Sequence, residues 1–139
     1  SLNISKYKNT SIPKKLHLFG LHHAKKYILE NGYVILVEGQ FDALQCYNFD
    51  FNNTVAIGCS SLSDFHISLL LRYSNNIVLC LDPNKAGQLG TEKIIKKYDN
   101  LANFHQLSLP DGFQDIDDFL KNDENAKKYL LNEIYSSIS

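Results

Sequence analysis

The chain has 139 residues, 44% of them hydrophobic, and 14 basic against 15 acidic side chains, for a formal net charge of −1. That length and apolar content suit one domain with a sizeable core, and the near-neutral balance does not by itself point to a partner. No apolar run approaches the roughly 20 residues that a bilayer-spanning helix requires, and no secretory signal is recognisable, so a cytoplasmic protein without a membrane partner is expected.

The charges are unevenly spread. Residues 1–31 carry Lys6, Lys8, Lys14, Lys15, Lys25 and Lys26 against Glu30 alone, whereas Asp111 to Glu124 carries six carboxylates against Lys121. This asymmetry suggests an anionic partner at one end and cations at the other. The three cysteines cannot all pair within one chain, and they lack the paired spacing of a zinc site. Cys46, Cys59 and Cys80 are expected to be buried, reduced thiols, with no zinc in these residues.

Along the chain, residues 1–20 are polar and irregular, with Pro13 against a helix, and Leu16, Leu18, Phe19 and Leu21 are expected to anchor this arm. A helix is predicted over Leu21–Asn31, with Leu21, Ala24, Ile28 and Leu29 on one face and Asn31-Gly32 ending it. The unbroken apolar run Tyr33–Val37 reads as a strand buried on both faces. Helix two is predicted from Phe41 to Tyr47 with Phe41, Leu44 and Tyr47 inward. A short strand, Thr54–Ile57, follows. After it come a turn at Gly58–Ser61 and a helix capped by Ser63 or Asp64 and continuing to Arg72. Strand three is Ile77–Leu81. Helix four is Ala86–Tyr98, with Leu89, Ile94 and Ile95 towards the core. A weaker strand at Asn103–Leu107, a turn at Pro110-Asp111-Gly112 and helices near Ile116–Leu120 and Ala126–Ile138 complete the chain. Of the histidines, His22 and His23 are expected to face solvent, and His66 and His105 stand alone. Alternating strands and helices imply right-handed crossovers and an α/β fold with a mostly parallel central sheet flanked by helices. The division expected is a basic N-terminal arm and helix over 1–32, leading into a core over 33–139.

The chemistry lies where the strands end. Glu38 follows the first strand, Gly39 permits a sharp turn, and Asp42 falls at the start of the next helix. Asn76 to Asp82 repeats the pattern of an aliphatic run closed by a carboxylate. Asp111, Asp115, Asp117 and Asp118 follow the last strand. In open α/β sheets, ligands bind outside the carboxyl ends of the strands, so three strand ends deliver acid to one rim. Magnesium takes oxygen ligands and is held by one or two carboxylates, with phosphates and waters completing its shell. Without a cation, crowded carboxylates repel and raise one another's pKa. Taken singly, Asp42 as a helix-dipole residue, Asp82 as a turn residue and Asp115–Asp118 as a helix cap are ordinary. Their joint arrival at one rim favours a cation site, where two ions could clamp a phosphoryl displacement.

Glu38-Gly39-Gln40-Phe41-Asp42, followed by Asp82-Pro83-Asn84-Lys85-Ala86-Gly87, resembles the TOPRIM domain of topoisomerases, primases and some nucleases. Four further segments are similar to bacterial DnaG-type DNA primases, in the family's order: Lys6-Tyr7-Lys8-Asn9-Thr10-Ser11, Lys14 with Leu18-Phe19-Gly20-Leu21, Ala56-Ile57-Gly58-Cys59-Ser60-Ser61, and Leu109-Pro110-Asp111-Gly112 with Asp115-Ile116-Asp117. The match covers residues 6–121. The resemblance implies a TOPRIM (Rossmann-like) fold and the catalytic core piece of a longer primase, which joins ribonucleotides on single-stranded DNA using Mg²⁺ or Mn²⁺, with two or more ions. It implies catalytic roles for Glu38, Asp42 and Asp82. It implies metal-site roles for Glu38, Asp82, Asn84, Asp115 and Asp117, with Asp42 among them. Lys6, Tyr7, Lys14 and Lys85 would contact nucleotide or nucleic acid. Partners implied are a single-stranded DNA template, ribonucleoside triphosphates and a replicative helicase, the last through regions outside this chain; a monomer is expected, because no further apolar helix face is evident. One departure matters: the second aspartate of the family's Asp-x-Asp is Asn84, a neutral and weaker oxygen ligand. That substitution leaves a degenerate nucleotide- or nucleic-acid-binding module as the alternative. A TOPRIM nuclease is a third reading, disfavoured by the segments around Lys6 and Leu109. A topoisomerase is a weaker one, with no catalytic-tyrosine domain in view.

Overall fold

The structure is a computed structural model and describes residues 17–59 and 61–138. Lys6, Tyr7 and Lys14 therefore lie outside the described residues. The elements alternate as the apolar runs predict: α1 (Leu21–Asn31), β1 (Val34–Val37), α2 (Gln40–Asn48), β2 (Thr54–Ala56), α3 (Asp64–Leu71), β3 (Asn76–Cys80), α4 (Lys85–Tyr98), β4 (Asn103–Gln106), α5 (Ile116–Asn122) and α6 (Ala126–Ile138).

The four strands form one sheet in the order β2-β1-β3-β4, and every pairing among them is parallel. β1 and β3 are central, and every residue of β1 is buried, which is why its sequence is aliphatic without alternation. Side chains nonetheless alternate between faces. Val34, Leu36, Ile77 and Leu79 pack on one side with Ala24 and Ile28 of α1, Ile67 and Leu70 of α3, and Ile94 of α4. Ile35, Val37, Val78 and Cys80 pack on the other with Ala43 and Cys46 of α2, Phe119 of α5, and Leu130 and Ile134 of α6. The chain preceding α1 adds an antiparallel bridge, Phe19 to Ala56, at the free edge of β2.

Local chemistry fixes the helix ends. Gly32 ends α1 in a left-handed conformation, φ 81°, with its N–H donating to the Ile28 carbonyl. Ser63 caps α3: its Oγ accepts from the His66 amide, and the His66 Nδ1 accepts from the Ser63 amide. The lone His66 is thus part of a helix start. His22 and His23 are exposed on α1 as expected, with His23 hydrogen-bonded to Asn52.

Three expectations about helix faces are corrected. Phe41 and Leu44 point outward, 68% and 44% exposed, while Asp42, Ala43 and Cys46 form the buried face of α2. Leu89 and Leu29 are likewise exposed, whereas Ile94 and Ile28 are in the core. The expectation that the fold shows no spare apolar helix face thus does not hold for α2. Cys59 is also corrected. It lies exposed after β2, whereas Cys46 and Cys80 are buried, and burial pushes the Cys46 thiol up to about 12. Among the described residues, no helix is long and apolar enough to cross a membrane.

Candidate metal centre

Register places the strand ends. Val37 of β1 lies level with Ala56 of β2 and Cys80 of β3. The residues that follow leave the sheet from one edge, the carboxyl edge at which α/β folds bind ligands. Glu38, Asp82 and Ile57 therefore share that rim.

Three acidic groups converge there. One carboxylate oxygen from each of Asp42, Asp82 and Asp115 lies within 4.8 Å of the others. Each comes from a different element. Asp42 is in the first turn of α2, Asp82 follows β3, and Asp115 is the N-cap of α5. Asp42 is buried and accepts two backbone amides, Gly39 N–H at 3.1 Å and Asp117 N–H at 3.2 Å. The second bond ties α5 to α2. Asp115 Oδ1 accepts from the Asp118 amide at 2.7 Å, so its capping role fixes its rotamer as well as starting α5. Behind it, Phe119 stacks between Phe113, with centroids 4.9 Å apart, and Tyr129, edge-on at 5.4 Å. The Tyr129 hydroxyl donates to the Ser108 carbonyl at 2.7 Å. That aromatic column holds the loop from β4 to α5 against the sheet, and so delivers Asp115 to the rim.

The electrostatics show unneutralised crowding. Burial, and then the charges of Glu38, Asp42 and Asp115, push the Asp82 carboxyl up to about 7. Asp42 is raised to about 6 by burial and by Asp115, in spite of its two amide donors. Both are well above the ordinary carboxylate range.

The other anticipated residues are placed differently. Glu38 is outside the trio, and its Oε1 accepts from the Asp82 amide at 3.3 Å, bracing the end of β3 against the end of β1. Asp117 contributes its backbone N–H to Asp42, while its own carboxylate faces Lys121 at 3.6 Å. Asn84 is exposed and caps α4, its Oδ1 accepting from the Gly87 amide at 2.8 Å. Lys85 is the exposed first residue of α4. Sequence reasoning missed Gly87, which is buried where α4 closes onto the rim. A Cβ there would collide with the Asp82 carbonyl oxygen. Its position within the Asp82-to-Gly87 segment was the available signal, but only the turn geometry gives the reason. Also missed was a cleft bordered by Gly39, Gln40 and Phe41, hidden by the expectation that Phe41 points inward.

Three hard oxygen donors from carboxylates, already close and mutually repelled, suit a divalent cation such as Mg²⁺ or Mn²⁺. The set contains no thiolate or imidazole.

Comparison with known proteins agrees with this geometry. The Toprim-like family matches residues 35–120. A DNA primase of Aquifex aeolicus is 34% identical over 122 residues, covering 87% of this chain and 24% of that protein. A DNA primase of Clostridium acetobutylicum is 30% identical over 135 residues, covering 94% of this chain and 22% of that protein. The crystal structure of the zinc-binding and RNA polymerase domains of Aquifex aeolicus primase matches with a TM-score of 0.79 at 34% identity, over 91% of this chain and 31% of that one. The structure of a DnaG primase catalytic domain bound to single-stranded DNA matches with a TM-score of 0.76 at 26% identity, over 92% of this chain and 41% of that one. The chain thus spans about a quarter of the length of these curated relatives. With its parallel sheet and acidic rim, the chain belongs to the Toprim-like family, as a TOPRIM domain of the type found in DnaG primases.

Proposed function

We propose that this domain is the metal-dependent catalytic core of a DNA primase, acting in the synthesis of RNA primers on single-stranded DNA. The observation that carries the reading is the convergence of Asp42, Asp82 and Asp115 within 4.8 Å at the carboxyl rim of the sheet. In the reaction a 3′-hydroxyl attacks the α-phosphate of a ribonucleoside triphosphate and pyrophosphate leaves. A bound Mg²⁺ or Mn²⁺ would supply positive charge for the triphosphate oxygens. Asp42, Asp82 and Asp115 would hold that ion, and zinc is disfavoured by the all-oxygen donor set.

The remaining residues act through position. Glu38 fixes the backbone at Asp82, and Asp117 fixes the Asp42 carboxylate through its amide. Lys85, exposed beside the rim at the start of α4, offers a cation to phosphate. The template comes to this reading from a relative, a DnaG primase catalytic domain bound to single-stranded DNA, and the ribonucleotides follow from the primer-synthesis reading itself.

Paramagnetic broadening by Mn²⁺ tests the reading. Amide signals around Glu38, Asp42, Asp82 and Asp115 should broaden at sub-stoichiometric Mn²⁺ in the wild-type domain and remain sharp in Asp82→Ala. Uniform broadening, or broadening that Asp82→Ala leaves unchanged, would overturn the assignment. A primer-synthesis assay with the same substitution in the full-length protein then tests the activity itself.

A further inference from the structure

A cleft of about 1090 Å³ is lined by Leu18, Phe19, Gln40, Phe41 and Ile57, and Gly39, whose amide donates to Asp42 of the acidic trio, lies on its border. We propose that this cleft seats the nucleobase of a nucleotide whose phosphates are held at the trio, with Phe41 as its stacking platform. The proposal rests on the metal-dependent nucleotide reading above and names where the other end of that nucleotide goes.

Phe41 and Asp42 are neighbours in the first turn of α2, so their side chains leave the helix about 100° apart with a rise of about 1.5 Å. Asp42 turns inward to the trio, 5% exposed, and Phe41 turns outward to the cleft, 68% exposed. One turn of helix therefore places a metal-ligating carboxylate and an aromatic face within the span of a single nucleotide. A lone exposed phenylalanine is unremarkable. Here a second exposed ring, Phe19 at 37%, lines the same concave surface from the bridge to β2. Gln40, exposed, lines the same cleft, and its primary amide both donates and accepts.

An aromatic platform with an amide at its border is the chemistry that recognises an unpaired base: stacking supplies affinity, and the amide can meet a base edge. The charge arrangement selects the ligand. The occupant needs a flat apolar end for the cleft and an anionic end that a cation can join to three carboxylates. A nucleoside polyphosphate has both.

Calorimetric titration of the protein in saturating Mn²⁺ separates the two ends. The ligands are ATP and inorganic tripolyphosphate, and the proteins are wild type, Phe41→Ala and Phe41→Tyr. Stacking of one base on an aromatic ring strengthens binding, so wild type should bind ATP about tenfold more tightly than tripolyphosphate. Phe41→Ala should erase that preference while its affinity for Mn²⁺ and tripolyphosphate stays at the wild-type level. Phe41→Tyr should keep the preference. Equal affinity of wild type for the two ligands overturns the proposal, as does wild-type ATP affinity in Phe41→Ala. A dimer that Phe41→Ala dissociates, with ATP affinity intact, assigns the cleft to a second copy and also overturns it. Loss of Mn²⁺ binding in every protein is a different failure, because it removes the metal reading and this proposal with it.

Discussion

At the scale of single residues, the rim depends on a close approach and on a mismatch of charge. Gly87 sits against the Asp82 carbonyl, where no side chain fits. Gly87→Ala must move either α4 or the turn that carries Asp82, and overpacking of this kind costs about 1–3 kcal/mol. A urea unfolding midpoint indistinguishable from wild type would refute that account. Either movement changes the packing that sets Asp82 at the rim, so Mn²⁺ affinity should fall as well, although Gly87 offers no ligand atom. Glu38 makes the complementary case. Its carboxylate braces the Asp82 amide at 3.3 Å, so Glu38→Gln preserves an acceptor for that bond while removing one negative neighbour of Asp82. The substitution should keep the fold and bring the raised Asp82 carboxyl down towards its ordinary value, which the Asp82 ¹³C carboxyl shift reads directly across a pH titration. An unchanged titration would show that Glu38 does not act on Asp82 through charge.

At the scale of elements, Asn84 separates structure from chemistry. Its side chain caps α4 through the Gly87 amide, and loss of such a cap costs about 1 kcal/mol. Asn84→Ala should therefore lower stability by about that amount, by urea denaturation. Asn84→Asp retains an acceptor at the cap and adds a carboxylate near the rim, so Mn²⁺ should bind more tightly. Weaker or unchanged Mn²⁺ binding in Asn84→Asp would mean that the cap alone explains the residue. The elements themselves were readable in the sequence because β1 and β3 are aliphatic runs buried on both faces, and because Gly32 and Ser63 mark helix ends. The inward face of α2 was not readable. Apolar periodicity places Phe41 and Leu44 inside, but α2 turns its first-turn carboxylate towards the rim and buries the small residues Ala43 and Cys46 against the sheet. The acidic rim was legible as a set of strand-end carboxylates. Which three converge was not, because that depends on strand register and on the Phe113–Phe119–Tyr129 column that positions Asp115.

At the scale of the whole molecule, the metal-free domain carries a strain that pH and cations should reveal. The folded state raises Asp42 to about 6 and Asp82 to about 7, whereas in the unfolded chain both titrate near the ordinary value of about 4. Between these limits the folded protein binds more protons than the unfolded one, so stability falls as pH rises. The contribution of these two carboxyls to the stability of the metal-free protein is thus greatest below the ordinary carboxylate range and is lost progressively as pH rises from about 4 to about 7. Asp64 works in the opposite sense. Its carboxyl is lowered, first by the Tyr98 hydroxyl, so its contribution is lost as pH falls below the ordinary range and leaves the window above it unaffected. A cation that binds only the folded state adds stability by mass action, and it binds the ionised carboxylates that acid protonates. Thermal unfolding of the metal-free protein should therefore show a melting temperature that falls between pH 5 and pH 7.5, and millimolar Mg²⁺ should raise it at pH 7.5 but not at pH 5. Asp82→Asn removes the charge that the trio resists, so its melting temperature without metal should exceed that of wild type at pH 7.5 and respond little to Mg²⁺. A variant that melts lower than wild type at pH 7.5 in the absence of cations would mean that Asp82 stabilises the fold through contacts of its own, and that repulsion at the rim does not outweigh them.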